Sequence, residues 1–383
     1  MSIRNKYAIA GIGETNYSSN SGRTELALAI EAIVKALEDA GLTIKDVDGL
    51  IKYSYDTSGN EVTLATALGI RNLKYHAEVG GGGGAASAII GHAAAAIEAG
   101  MATTIVGFRS LNGRSGRRWG SNEDPLLGQL NYAFGWSLPV QKAAMACQRY
   151  MYEFGLTSRQ LGIIAQTCRK NACLNPRAQM YGKPMTAEDY QASGMLSEPL
   201  RRFDCCLETD GACAVVITSA EQANNLRQKP AYLVAAAQGT APIPEAWYCA
   251  PSIYESPQIY VAKELYARAA MGPKDIDVAE LYDCFTFTVM LHLESFGFCK
   301  IGEAGSFVEN GSIENSGELP INTHGGLLSE GYIHGFNHIL EAVRQLRGTS
   351  TAQVKCAQVV LVTSGGLPGT IPSAMILTNE EKR

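Results

Sequence analysis

The stretch H-G-G-L-L-S-E-G-Y-I-H-G-F-N-H, residues 324 to 338, gathers adjacent glycines (Gly325, Gly326), a hydroxyl (Ser329), a carboxylate (Glu330), a phenol (Tyr332) and three of the chain's six histidines. Apolar residues then recur at Ile339, Leu340, Val343 and Leu346, and Arg347 with Gly348 supplies a basic last turn and a glycine stop. That spacing predicts a helix. The polar cluster therefore falls on a loop and the first turn of a helix, where backbone N–H groups are free and the dipole favours developing negative charge. Any one of these histidines is more readily read as a capping or packing residue, but the cluster as a whole points to chemistry.

Outward from this stretch, the chain repeats itself. Gly325 to Gly348 followed by Val359 to Ser364 reads as glycine loop, helix and strand, and His76 to Gly100 followed by Thr103 to Gly107 reads in the same order. Upstream of each, Tyr7 to Thr15 and Ala231 to Thr240 are strands with a glycine exit, and Glu25 to Asp39 and Val261 to Ala270 are alanine-rich helices. After those helices Asp46 and Asp48 fall opposite Asp275 and Asp277. The expected architecture is two similar α/β halves, residues 1–225 and 226–383, with apolar strands covered on both faces and a site where the glycine loops converge. An insertion at about 109–200 opens on R-S-L-N-G-R-S-G-R-R-W-G and holds two helical stretches, Val140 to Phe154 and Ser158 to Cys173. Asp204 and Asp210, just beyond it, read as residues that orient backbone at a turn.

At 383 residues and a net charge of −5, the chain has a sizeable core and no basic stripe for nucleic acid. Ten dispersed cysteines suit a reduced, cytosolic protein better than a disulfide scaffold. Cys205, Cys206 and Cys213 lack the partners of a zinc site, so no metal is expected. No signal-peptide pattern and no apolar run of membrane-spanning length is present, so a cytoplasmic protein without a membrane partner is expected. The five glycines at 80–84 lack the Gly-Lys-Ser/Thr of a P-loop, and the strand after them ends without the acidic residue of a dinucleotide site. Close approach of backbone to an acyl thioester is the better reading.

With the duplication, the loop G-G-G-G-G-A-A-S (80–87) and H-G-G-L-L-S-E-G-Y-I-H-G in view, the whole chain resembles the thiolase superfamily, specifically its sterol-carrier-protein type. The resemblance implies a thiolase-like, five-layered α-β-α-β-α fold built from two duplicated halves with a loop insertion, and a homodimer acting on a CoA thioester. The chain departs from thiolases at each catalytic position. Ala85 and Ala86 stand where the nucleophilic thiol belongs, Tyr282 replaces an asparagine, Tyr332 a histidine and Ser364 the second cysteine. No sulfur is placed to form an acyl-enzyme. The motifs Y-D-C-F (282–285), R-S-G-R-R (114–118) and G-Y-I-H-G (331–335) are similar to those of the thiolase-like aldolases of steroid side-chain degradation. That likeness implies retro-aldol cleavage of a bulky β-hydroxyacyl-CoA to a ketone and a shorter acyl-CoA such as propionyl-CoA. It also implies a small OB-fold partner with a zinc ribbon, and no cofactor beyond the CoA of the substrate.

Such a cleavage needs a base for the β-hydroxyl proton, donors for the enolate and an acid for Cα. The acid/base pair is assigned to Tyr282 and Tyr332, without choosing between them. A free phenol has a pKa of about 10, so a tyrosine serves as base only with help, or else as a relay. Asp283 is a supporting charge. Oxyanion donors are expected from backbone of the loop holding Gly82, Gly83 and Gly84 and from Gly365 and Gly366, aided by His324 or His334. Arg114, Arg117 and Arg118, with Arg109, form a dense basic group that suits CoA phosphates or an interface. Trp119, Phe134 and Trp136 could wall an apolar substrate. The alternatives are a thiolase or acyltransferase using an unusual nucleophile such as Ser87, and a non-catalytic acyl-CoA-binding scaffold.

Overall fold

The computed structural model describes residues 3–54, 58–116, 132–136, 138–240, 252, 254, 256–367 and 370–381. Among them, nine strands form one sheet: β1 (Tyr7–Glu14), β2 (Gly49–Tyr53), β3 (Tyr75–Val79), β4 (Thr104–Asn112), β5 (Asp210–Ser219), β6 (Ala231–Gln238), β7 (Val278–Glu280), β8 (Val359–Ser364) and β9 (Ser373–Thr378). Their order is β3-β2-β4-β5-β1-β6-β9-β8-β7. Outward from the β1–β6 seam, β1, β5, β4 and β2 of the first half match β6, β9, β8 and β7 of the second, and β3 is an additional edge strand. In each half two parallel neighbours (β2 and β4; β7 and β8) are followed by an antiparallel strand (β5; β9) that leads to the seam. The seam itself is held by two residue pairs, Ala8 with Tyr232 and Ile9 with Ala231.

Alternation along the strands sorts the core into layers. Ala8, Ala10, Leu50, Val106 and Phe108 face α1 (Glu25–Ala40) and α2 (Glu61–Leu68). Ile9, Ile51 and Ile105 share a second cluster with Leu233, Val360 and Val362 of the other half, around α3 (Ala85–Glu98) and the carboxyl-terminal helix Phe336–Arg347. Val234, Ala279, Leu361 and Ile376 face outward in a third cluster. Against them lie α4 (Pro139–Phe154) and α5 (Ser158–Leu174) of the insertion, with α6 (Gln258–Ala269) and α7 (Thr286–Ser295). The result is α-β-α-β-α, with α3 and α8 (Phe336–Arg347) between the half-sheets.

The duplication extends to single carboxylates. Asp46 accepts a hydrogen bond from Thr43 N and Asp275 one from Gly272 N, each closing a short 3₁₀ turn. Asp48 accepts from the backbone of Thr103 and Thr104 at the start of β4, and Asp277 from Gln358 and Val359 at the start of β8. Asp204 and Asp210 do orient turns. The first accepts from Arg201 N, Tyr190 and Thr286, the second from Ser21, Arg114 and Ser115 backbone.

Two expectations need correction. The strand expected at Thr103 to Gly107 runs to Asn112, and all nine of its residues pair with β5, so the insertion begins after β4. Arg109 is thus inside a central strand and 1% exposed, not a member of a surface basic group. The reason is alternation: Gly107, Arg109 and Leu111 point to the inter-sheet side, where a chain this long can hold a guanidinium. The polar stretch 324–338 is also not one loop entering one helix. Gly326–Ser329 is a separate single turn, residues 330–335 are non-helical, and α8 starts only at Phe336.

Candidate active site

Tyr282 follows β7 and Tyr332 lies on the loop before α8, and their hydroxyl oxygens meet at 2.9 Å. Each backbone N–H is tied to a threonine hydroxyl, Tyr282 to Thr363 and Tyr332 to Thr209, both at 2.8 Å. Tyr282 is buried and Tyr332 half-buried. Burial first, then neighbouring phenols and thiols, push both well above the usual phenol value, so both are protonated at rest. The Tyr282 hydroxyl lies against Gly83, where an added Cβ would sit 2.3 Å from it, and the other side of its ring lies against Gly335. Only glycine leaves room for the phenol here.

The glycine loops of the two halves do converge. A Cβ on Gly365 would lie 3.0 Å from Gly84. Gly82–Gly84 is a 3₁₀ turn running into α3, so the N–H groups of Gly82 and Gly83 are the first of a helix and have no intrahelical acceptor. Gly84 N–H is already bonded to Gly81 and Gly366 N–H to Thr370, which takes two of the expected donors out of play. Ala85 and Ala86 form the first turn of α3, and Ser87 next to them is sealed: its hydroxyl is 2.8 Å from that of Ser364, and both are fully buried. A serine so engaged is a poor nucleophile.

The four buried histidines fall into three environments. The His334 ring lies 4.5 Å from that of Tyr332 and 4.9 Å from that of Tyr53, with Arg109 Nε 3.4 Å from its Nδ1. Helical spacing would separate residues 332 and 334, but His334 adopts φ +52, which turns its ring back over the phenol. Behind Tyr282 runs a fully buried row. Asp283 faces His338 Nε2 at 3.2 Å, His338 Nδ1 meets His324 Nε2 at 3.1 Å, and His324 Nδ1 meets Glu280 at 3.0 Å. Burial holds His324 neutral, at about 3, and lifts Glu280 to about 7. Asp283 also caps the turn at residues 326–329 through Leu327 and Leu328 N–H. Ligand atoms of Glu280, His324 and His338 lie within 4.8 Å of one another, a spacing a metal ion could bridge. Of the contacts in the row only that between His338 Nδ1 and His324 Nε2 has hydrogen-bond geometry, and Glu280 Oε2, His324 Nδ1 and His338 Nε2 have no hydrogen-bond partner among the described residues. Third, His292 Nδ1 meets at 2.8 Å the Thr363 hydroxyl that also accepts from Tyr282 N–H, and its Nε2 packs beside Gly366.

Of the residues named from sequence, Tyr282, Tyr332, His334, Gly83 and Gly335's neighbourhood are assembled at one point. His324 and Asp283 stand behind it. Arg114 is half-exposed and paired with Glu208 at 3.2 Å, while Arg117, Arg118 and Trp119 lie outside the described residues. Phe134 is exposed, and Trp136 packs on the outer cluster of the second half. Sequence reading missed Glu280, His292, His338, Thr209 and Thr363. A carboxylate inside the apolar strand V-A-E-L-Y and a histidine inside V-M-L-H-L were the available signals, since a buried titratable group rarely lacks a partner.

Residues 248–379 match the family described as thiolase C-terminal domain-like. The chain is 46% identical over 374 residues to 17-hydroxy-3-oxo-4-pregnene-20-carboxyl-CoA lyase of Mycobacterium tuberculosis, covering 94% of this chain and 97% of that one. It is 45% identical over 377 residues to the steroid side-chain-cleaving aldolase of Thermomonospora curvata, covering 94% and 95%. The solved structure titled Ltp2-ChsH2(DUF35) aldolase superposes with a TM-score of 0.96 at 43% identity over the full length of both chains. Human mitochondrial 3-ketoacyl-CoA thiolase, at 15% identity and a TM-score of 0.71, shares the fold.

Proposed function

Since the chain belongs to the thiolase superfamily, and within it to the steroid side-chain-cleaving aldolases, we propose that it is a carbon–carbon lyase whose Tyr282 and Tyr332 cleave a β-hydroxyacyl-CoA by a two-phenol proton relay. The observation that carries this reading is the 2.9 Å contact between two phenols that burial keeps protonated. A phenolate base is not the resting state, and the relay does not need one. The substrate β-hydroxyl gives its proton to one phenol oxygen as that phenol passes its own proton to the second and the second passes its own toward Cα, so neither oxygen ever holds two protons. In the same passage the β-oxygen becomes the ketone carbonyl, the Cα–Cβ electron pair gains thioester-enolate character, and Cα takes up the second phenol's proton. Protons and electrons balance within substrate and dyad, and no covalent intermediate forms. The N–H groups of Gly82 and Gly83 before α3, which have no intrahelical acceptor, suit the enolate oxygen, where donors act on charge as it develops.

The acyl group is a steroid side chain bearing a β-hydroxyl, and the small product is propionyl-CoA or a similar short thioester. No resident cofactor is required, the CoA being part of the substrate. The working assembly is a cytoplasmic homodimer joined to a DUF35-type chain, a small OB-fold protein with a zinc ribbon. Among the described residues no helix is long and apolar enough to cross a membrane.

The test is product analysis with a steroid β-hydroxyacyl-CoA and no free CoA, with and without the DUF35-type chain. Equal amounts of ketone and shorter acyl-CoA are expected, and Tyr282→Phe and Tyr332→Phe should each lower kcat by about 10²–10⁴-fold, the usual worth of a positioned acid or base. Turnover of a β-ketoacyl-CoA only on addition of free CoA would refute the lyase reading.

A further inference from the structure

Where β1 ends, a pocket of about 550 Å³ opens beside α1, α8 and the chain that follows α5, and its lining carries three cations, Lys35, Arg177 and Arg344, against one carboxylate, Glu14. Both oxygens of that carboxylate are engaged. Oε1 accepts from Arg344 Nη2 at 2.5 Å and lies 3.2 Å from Arg177 Nε, and Oε2 accepts from the Tyr17 hydroxyl at 2.8 Å. Lys35 is committed as well, to Glu31 and to the Glu14 carbonyl. The guanidiniums are not. Arg344 Nη1 and Arg177 Nε and Nη2 are buried and have no hydrogen-bond partner among the described residues, the Arg177–Glu14 contact being an ion pair only. Arg344 as a whole is 8% exposed. Glu341 Oε2, 3.9 Å from Arg344 Nη1, is beyond hydrogen-bond range, and burial pushes the Glu330 carboxyl toward its neutral form.

A buried charged donor left without an acceptor is costly, and here two guanidiniums beside one cavity share that condition. Both converge on the same oxygen, Glu14 Oε1, so their unused N–H groups lie within the span of a single ligand. Water would accept from either fork but would leave the excess positive charge of the lining uncompensated. A tetrahedral oxyanion does both, and its spaced oxygens match the guanidinium fork. We propose that this pocket is a binding site for a small oxyanion of the phosphate or sulfate class, bridging Arg177 and Arg344. The site goes beyond the lyase reading and does not depend on it. It stands behind the loop that carries Tyr332. The Tyr17 ring in its wall packs on Gly331, where an added Cβ would sit 3.0 Å from the ring. The residues just after Arg177 are bonded to the same loop, Gln179 N to Glu330 O at 2.9 Å and Met180 N to Ser329 O at 3.2 Å. Gln179 Nε2 also donates to the Thr209 hydroxyl that takes the Tyr332 N–H. An anion joining Arg177 to Arg344 therefore braces the Tyr332 loop from the side away from the phenols' contact.

Calorimetric titration of the full-length protein with inorganic phosphate, at constant ionic strength so that screening does not register, should show saturable binding at a single site per protomer and a phosphate-dependent rise in Tm. Arg177→Met removes a side chain that is 33% exposed and has no hydrogen bond to lose, so the fold is kept. It should weaken phosphate binding by about tenfold or more, the usual worth of charge-assisted hydrogen bonds. Arg71→Met, at an exposed position outside the lining, should leave binding unchanged. Hydrogen exchange across residues 329–332 should slow on adding phosphate to the wild type and not to Arg177→Met. Adenosine 3′,5′-bisphosphate separates two sources of the anion: competition with phosphate that needs Arg177 assigns it to the 3′-phosphate of CoA, and no competition assigns it to a free oxyanion. No saturation below about 20 mM phosphate, or equal affinity in wild type and Arg177→Met, would overturn the proposal. Every readout is taken without turnover, so it stands or falls separately from the cleavage assay.

Discussion

Replacing Gly83 with alanine separates the spacing of the two phenols from every other property of the site. Gly83 is not among the glycines at positive φ, so alanine fits its backbone. Its Cβ, however, would lie 2.3 Å from the Tyr282 hydroxyl oxygen and 2.6 Å from Cζ, where ordinary contact begins at 3.4 Å. The phenol must retreat by roughly 1 Å, because repulsion rises steeply inside contact distance. Retreat along the line from Tyr332 would stretch the 2.9 Å contact to about 4 Å, outside hydrogen-bonding range. A misplacement of that size at reacting atoms costs about 10²-fold in rate. The overpacking itself costs about 1–3 kcal/mol of stability. The assay is kcat for ketone release, with stability from urea unfolding of the same preparation. In a Tyr282→Phe background, where the relay is already broken, the added Gly83→Ala change should lower the residual rate less than twofold. A folded Gly83→Ala enzyme with kcat within twofold of wild type would show that the phenol spacing does not limit the reaction, and the relay would have to be abandoned.

Ser87→Ala should keep kcat, with a loss of about 1 kcal/mol for its hydrogen bond to Ser364, whereas a serine acyl-enzyme would lose all turnover and a trappable acyl adduct. Glu280 has a folded value raised to about 7, above the free value of about 4.3, so the folded state holds this proton more tightly. Its contribution is complete below about pH 4.3 and lost as pH rises through 7, for at most about 4 kcal/mol. Wild type measured against Glu280→Gln by urea unfolding should therefore lose relative stability between pH 5 and pH 8, and a constant difference would mean that the carboxyl titrates elsewhere. Asp48→Asn and Asp277→Asn should each cost about 1–3 kcal/mol, because each leaves the backbone N–H groups at the start of a buried strand poorly paired. Costs that differ by more than a factor of three would count against the mechanical equivalence of the two aspartates.

Much of this was legible because it depends on order along the chain. The two halves could be aligned by element type alone, and the alignment carried Asp48 onto Asp277 correctly. Tyr282 and Tyr332 could be paired through the motifs around them, although fifty residues separate them. What could not be read depended on a local backbone state or on contacts between distant elements. A helical rule keeps residues 332 and 334 apart, and a single positive φ at His334 reverses it. Arg109 looked like part of a basic surface run because strand alternation in G-F-R-S-L does not say which face a guanidinium takes. The row Asp283–His338–His324–Glu280 joins β7, the loop after it and α8, and no spacing within one element announces it.

The phenol of Tyr282 belongs to the second half of the chain, and the glycine that makes room for its hydroxyl belongs to the first. Two backbone pairs and a shared core hold those halves in register. A fragment carrying the second half alone would have no Gly83 against which to set the tyrosine. The clearance between Gly83 and the Tyr282 hydroxyl is therefore a gauge of how the halves are seated. Any binding event or substitution that slides one half over the other, however far from the substrate, would be read out as a change in rate before it was visible as a loss of fold.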